Sequence, residues 1–212
     1  MDIDTPSLSP SPSSPPSVLL VEPDPALAAR YTGWLEDEYD VQAVESEADA
    51  VDEISAAVDV VVFDRRLSPS ASDSSPGIET LLQPIHDRDL GCRVAMIVAS
   101  APSTVTVRRA VDDSLVAPIS STDLRRVVDR LALQAIYDDH LRTFYELASK
   151  RALLDRDRHD AELAASRRYA ALEDRLAVAR TRADETMADL FAAESDRYRR
   201  DVMRDVLCDD DD

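Results

Sequence analysis

The chain has 212 residues, 43 acidic against 24 basic side chains, a formal net charge of −19, and 12 prolines to 3 glycines. That length fits one ordinary domain plus a smaller second module, and it suffices to bury a core. The acidity sets the chain as a whole against sequence-independent binding to a phosphate backbone. No apolar run approaches the roughly 18 residues of a membrane span. No basic residue precedes Arg30, which argues against a secretory leader.

The charged residues are themselves skewed. Asp outnumbers Glu 31 to 12, and Lys150 is the only lysine beside 23 arginines. Short carboxylates expose little hydrocarbon, whereas lysine stems would add it. At molar salt the Debye length falls to roughly 3 Å, so self-repulsion is screened. The composition therefore indicates a cytoplasmic protein of a high-salt cell. Cys92 and Cys208 lie far apart and fit no metal or redox motif, which suits a reducing compartment.

Residues 1–16 carry five prolines and five serines with no apolar pattern, and read as a disordered tail. Residues 17–134 alternate short apolar runs with amphipathic stretches. The runs are Val18–Val21, Tyr39–Val44, Val60–Phe63, Val94–Val98 and Leu115–Val116. Several are almost purely apolar and β-branched, as parallel strands buried on both faces are. Helices are predicted at Ala26–Glu38, Ala48–Ala57, Ile78–Asp89, Thr104–Val111 and Thr122–Ala135. Asp24 with Pro25 marks the start of the first, and Ser46 and Ser121 are cap candidates for others. Strand and helix alternating five times predict a parallel sheet with helices on both faces.

Residues 135–207 differ. No glycine follows Gly91 and no proline follows Pro118, so long helices are predicted. Tyr169, Leu172, Leu176, Ala179, Ala183, Thr186, Leu190 and Ala193 are spaced 3-4-3-4-3-4-3, a heptad seam. Upstream, Tyr137, Leu141, Phe144, Ala148 and Ala152 form a second stripe, with Leu147 and Leu154 adjoining. An antiparallel hairpin turning within 155–166, with Ser166 as a cap, is the reading adopted; one unbroken helix is its rival. The seam suits packing within a hairpin or against a second copy or another protein. Residues 208–212 read as an acidic disordered tail.

In doubly wound sheets ligands sit beyond the carboxyl ends of the strands. The third run ends in one acid, DVVVFD, which places Asp64 at that edge. With strand order 2-1-3-4-5, Glu22 and Asp24 lie on the neighbouring strand. Such carboxylates suit Mg²⁺, which takes a few oxygens plus water. A turn or helix cap is the alternative role for Asp64. Arg65 and Arg66 follow it, and their side chains are expected to leave the strand end for the loop.

These segments resemble a known pair of families. VLLVEPDP, DVVVFDRRL with the later PGIE, CRVAMIVAS and LVAP resemble a CheY-like response-regulator receiver domain over 17–134. YDDHLRTFYELASKRALLD and RRYAALEDRL resemble a HalX domain, a combination seen in haloarchaea. The resemblance implies a flavodoxin-like, five-stranded α/β fold of order 2-1-3-4-5, followed by a C-terminal helical hairpin or coiled coil. It also implies that Asp64 corresponds to the acceptor of a phosphoryl group from a histidine kinase. Glu22 matches one acid of a Mg²⁺-binding pair, and Pro118 matches a cis-proline.

The remaining matched positions depart from that pattern. Pro23 stands for the second acid, Val98 for the Thr or Ser hydroxyl, Ala117 for the phosphate-binding lysine, and Ser114 for the aromatic switch. Asp24 and Ser100 are displaced substitutes. The serine-rich loop 67–76 is lengthened and shifts Pro69. The expectation is a non-enzymatic regulatory module with a degenerate pseudo-receiver that requires no cofactor, Mg²⁺ being the one ion such a site would take. It would act through a protein partner or homodimer at the C-terminal helices, its interface formed by Tyr169, Leu172, Leu176, Ala179, Ala183 and Leu190. A phosphorylatable receiver and a DNA-contacting transcriptional regulator are the alternatives. Basic clusters such as Arg167–Arg168 bear on the last, yet 135–212 carries 20 acidic against 14 basic residues. His86, His140 and His159 share no ligand spacing.

Overall fold

A computed structural model describes residues 15–67, 76–99, 111–157 and 167–208, with the backbone alone at 67, 76–81, 157 and 196–208. Most of the predicted helix at 104–111, Ser100, most of the 67–76 loop, most of both tails, His159, Ser166 and most of the segment 155–166 in which a turn is expected lie outside the described residues.

Five strands, β1 (Ser17–Val21), β2 (Asp40–Val44), β3 (Val60–Asp64), β4 (Arg93–Val98) and β5 (Asp113–Val116), form one sheet of order β2-β1-β3-β4-β5. Every adjacent pair is parallel. The central strands are apolar along their length because both faces are covered. Leu19, Val21, Val61, Phe63, Val94, Met96 and Val98 pack under α2 (Glu47–Glu53) and α3 (Pro76–Asp87). Val18, Leu20, Val60, Val62, Ala95 and Ile97 pack under α1 (Pro25–Leu35) and α4 (Ser121–Asp157). The period-two alternation thus divides each strand between two cores. Among the described residues no helix is long and apolar enough to cross a membrane.

Local signals fix the helix starts. The Asp24 carboxylate accepts from the amides of Ala26 (2.9 Å) and Leu27 (3.3 Å), and Pro25 occupies the first turn. Ser46 Oγ accepts from the Asp49 amide at 3.2 Å. At α4 the cap is Ser120, which accepts from the Asp123 amide at 3.1 Å, while Ser121 is the first helical residue. Two adjacent serines offer the same chemistry, and the backbone path after β5 selects the earlier one.

The largest difference from the sequence reading is at residue 135. α4 does not stop there but runs through 37 residues, about 55 Å at 1.5 Å per residue. Its first half covers the sheet through Leu124, Val127, Val128 and Leu131. The side chain of Arg125 donates from Nε to the Trp34 carbonyl of α1 (2.5 Å), and Arg130 pairs with Asp113 of β5. α4 runs opposite to the strands and therefore passes their amino ends, where Asp138 pairs with Arg93.

There α5 (Arg167–Cys208) packs antiparallel against the second half of α4. Tyr137 meets Met187, His140 Nδ1 lies 3.0 Å from Thr186 Oγ1, and Arg151 Nε donates to Glu173 at 3.0 Å. Leu147, Leu172 and Ala179 form the small core, flanked by Phe144, Leu154 and Leu176. Between 167 and 195 the residues that are not exposed are the eight seam positions and Met187. The seam thus packs within its own chain. Ala152 is exposed, because the stripe on α4 turns through Leu147, Ala148 and Leu154.

Candidate functional site

The parallel register brings two acids together at the carboxyl edge. Val21 of β1 lies beside Phe63 of β3, so Glu22 and Asp64 emerge side by side. Both are buried, with Glu22 at 0% exposure and Asp64 at 4%. The Glu22 amide donates to the Val44 carbonyl (3.0 Å), which ties the strand end to β2. Its side chain accepts from the Asp24 amide through Oε1 at 3.0 Å. Among the described residues no hydrogen bond reaches Glu22 Oε2.

Two ionised carboxylates so placed repel each other and lose hydration. Burial, the largest influence, pushes the Glu22 carboxyl above its ordinary value, and neighbouring Asp64 adds to the rise. The Asp24 amide and the Arg66 guanidinium oppose it.

Arg66 is the residue that sequence reasoning placed wrongly. Its side chain does not leave for the loop. Asp64 Oδ1 accepts from the Arg66 backbone amide at 2.7 Å, which tightens the single 3₁₀ turn Arg65–Leu67. That turn folds the guanidinium back over the strand end. Arg66 Nε lies 3.0 and 3.1 Å from the two Asp64 oxygens. Arg66 Nη2 donates to Asp64 Oδ2 at 2.9 Å and to Glu22 Oε1 at 3.1 Å. Along the chain the D-x-R spacing signals the carboxylate cap on the Arg66 amide, but not the reach of its side chain to Glu22.

The other matched positions do not add donors. Pro23 is exposed. Asp24 is committed to capping α1. Val98 is buried at the end of β4, and its carbonyl accepts from the Ala117 amide at 2.7 Å. Ala117 is exposed, and the Ala117–Pro118 peptide bond is cis. Ser114 is half-buried in β5, its amide donating to its neighbour Asp113. Among the described residues no group of three or more His, Cys, Asp or Glu side chains could hold a metal ion. The divalent cation of a receiver site does not fit this arrangement: the carboxylate pair is bridged by a guanidinium, and the Asp24 carboxylate is committed to capping α1.

Comparison with known proteins agrees with this architecture. Residues 133–201 match the HalX domain family. A candidate transcriptional regulator of Haloferax volcanii is 29% identical over 210 residues, taking in 91% of this chain and 35% of that protein. The chain thus spans about a third of the length of that curated relative. The signal receiver domain of a candidate LuxO repressor protein from Vibrio parahaemolyticus is 29% identical, with a TM-score of 0.50, over 59% of this chain and 96% of that one. A CheY-like receiver domain from Methanospirillum hungatei is 21% identical over 57% of this chain and 97% of that one, with a TM-score of 0.45. The N-terminal part thus has a receiver fold, and the segment 133–201 behind it is similar to the HalX domain family.

Proposed function

We propose that this chain is a regulatory module of the two-component response-regulator type whose receiver part, 17–134, no longer runs Mg²⁺-dependent phosphoryl transfer. It acts by protein–protein contact, through the receiver face and the helical part 135–207, in the cytoplasm of a high-salt cell. Phosphoryl transfer is almost entirely positioning plus neutralisation of the oxygens in flight. The observation that carries the reading is the chemistry of the strand ends beside Asp64: a buried alkyl group at Val98 and a methyl at Ala117. Each lost donor costs about 2.7–4 kcal/mol of transition-state stabilisation in comparable sites. Even one such loss slows transfer by about 10²–10³.

The full chain incubated with acetyl phosphate and Mg²⁺ in high KCl, and read by intact mass, is expected to keep its mass. Stoichiometric gain of a phosphoryl group, abolished by Asp64→Asn, overturns the reading in favour of a receiver served by a histidine kinase.

The Haloferax volcanii relative favours transcription as the process regulated. Contact with DNA through the C-terminal helices would work against their charge, since 135–212 has a net excess of acid. Arg167, Arg168, Arg180 and Arg182 are exposed on α5 among carboxylates such as Asp184, 3.8 Å from Arg180. A protein partner, with DNA read elsewhere, is therefore the inferred route. Duplex DNA is expected not to retain the chain at molar KCl.

A further inference from the structure

We propose that the Arg66 guanidinium is the resident cation of the carboxyl edge, bridging Glu22 and Asp64 in place of a divalent metal, so that this chain takes up neither Mg²⁺ nor Mn²⁺ there. The inference rests on reading Glu22 and Asp64 as a receiver-type carboxylate pair, and it adds a residue that makes the loss of metal structural.

Three observations carry it. A single nitrogen, Nη2, lies 2.9 Å from Asp64 and 3.1 Å from Glu22, the bridging role that a metal ion fills between two carboxylates. Arg66 is anchored as well as attracted, because its own amide is held by Asp64 Oδ1. The guanidinium and the turn therefore form as one unit, and an entering ion must break side-chain contacts that the backbone keeps re-forming. Lastly, Glu22 is fully buried, and its Oε2 has no hydrogen-bond partner among the described residues. Arg66 satisfies one oxygen of Glu22 and leaves the other without a donor. The pair is thus a cation site only partly filled by a planar, singly charged group.

Position favours the same view. The Arg66 side chain is 55% exposed while the carboxylates beneath it are buried. It covers the pair from the solvent side. Guanidinium remains protonated at any ordinary pH, and bidentate contact with a carboxylate suits its fixed fork. Without Arg66, the two carboxylates have strong reason to capture a hard dication from solution.

Mn²⁺ binding to the full chain in 2 M KCl, read from the electron-paramagnetic signal of free Mn²⁺, tests this. High KCl suppresses diffuse binding to the acidic surface. Wild type and Asp64→Asn are expected to give the same background. Arg66→Ala and Arg66→Gln are expected to gain one site per chain, at least tenfold tighter than wild type. Mg²⁺ should displace the ion, and the site should vanish in the double variant Arg66→Ala with Asp64→Asn. A site in wild type that depends on Asp64 overturns the proposal, and so does failure of both folded Arg66 variants to gain one. If those variants do not fold, the comparison of wild type with Asp64→Asn still decides. Phosphorylation is scored separately. A wild type that ignores Mn²⁺ but is phosphorylated overturns the functional reading alone; one that binds Mn²⁺ and stays unphosphorylated overturns this inference alone.

Discussion

Glu22 carries the sharpest conflict in the molecule at the scale of single residues. It is fully buried, one of its oxygens has no partner among the described residues, and its carboxyl titrates above its ordinary 4.5. A raised carboxyl value means that the folded chain holds this proton more tightly than the unfolded chain does. The resulting stabilisation is complete below about 4.5 and is lost as pH rises through the folded value. Above that value the ionised group costs stability. Glu22→Gln keeps the shape and the acceptor for the Asp24 amide while removing the charge. It is expected to melt higher than wild type at pH 8, by about 2–4 °C for each kcal/mol relieved. The difference should close as pH falls toward 4.5, which thermal melts across that range would show. Cys92 is a simpler case. Burial pushes its thiol up to about 11, so at pH 8 very little thiolate is present. In a Cys208→Ser background, an aromatic disulfide reagent should label native Cys92 roughly a hundredfold more slowly than the urea-unfolded chain.

Among the elements, α4 alone belongs to both halves of the described structure. Its first half is an outer helix of the sheet, and its second half is one arm of the hairpin. The helix is continuous between them. The connection lies at the amino edge of the sheet, where Arg93 pairs with Asp112 and Asp138. Arg142 approaches Gly91 there as well, its Nη2 at 3.4 Å from where a side-chain β-carbon would lie. The hairpin therefore departs from the end of the sheet opposite to Asp64. Its own core is thin, alanine-rich on α5 and centred on Leu147. Leu147→Ala is expected to cost about 2–4 kcal/mol in the hairpin. Hydrogen exchange should show that loss along 137–157 and 167–190, while the central strands β1, β3 and β4 keep their protection.

For the whole molecule, the charge of −19 is spread rather than gathered: −2 in 1–16, −11 in 17–134 and −6 in 135–212. Self-repulsion therefore opposes folding of both halves at low salt. Raising KCl from 0.1 to 2 M is expected to raise the melting temperature substantially, with NaCl close behind. A flat response would argue against adaptation to high salt. The fold itself does not depend on this charge, since the two sheet cores are apolar and almost fully buried.

What the sequence alone determined is what its periodicities encode. Uninterrupted β-branched runs specified buried parallel strands, and Asp24–Pro25 specified the start of α1. The 3-4 spacing picked out the face of α5 that is withdrawn from solvent, position by position. These signals are local, so they survive without knowledge of the rest of the chain. Asp64 and Glu22 were legible as edge residues because a strand that ends in an acid must place it there. Tertiary structure decided three things. The seam's partner is α4 of the same chain, because helix α4 continues past residue 135 and offers the matching stripe. The cap of α4 is Ser120 rather than Ser121, because the path out of β5 sets the first turn. Arg66 lies over the acidic pair, because a carboxylate buried between two strand ends is a stronger draw for a guanidinium two residues away than open solvent is. That attraction arises only once the register of β1 against β3 has put two negative charges side by side, and no pattern along the chain carries that information.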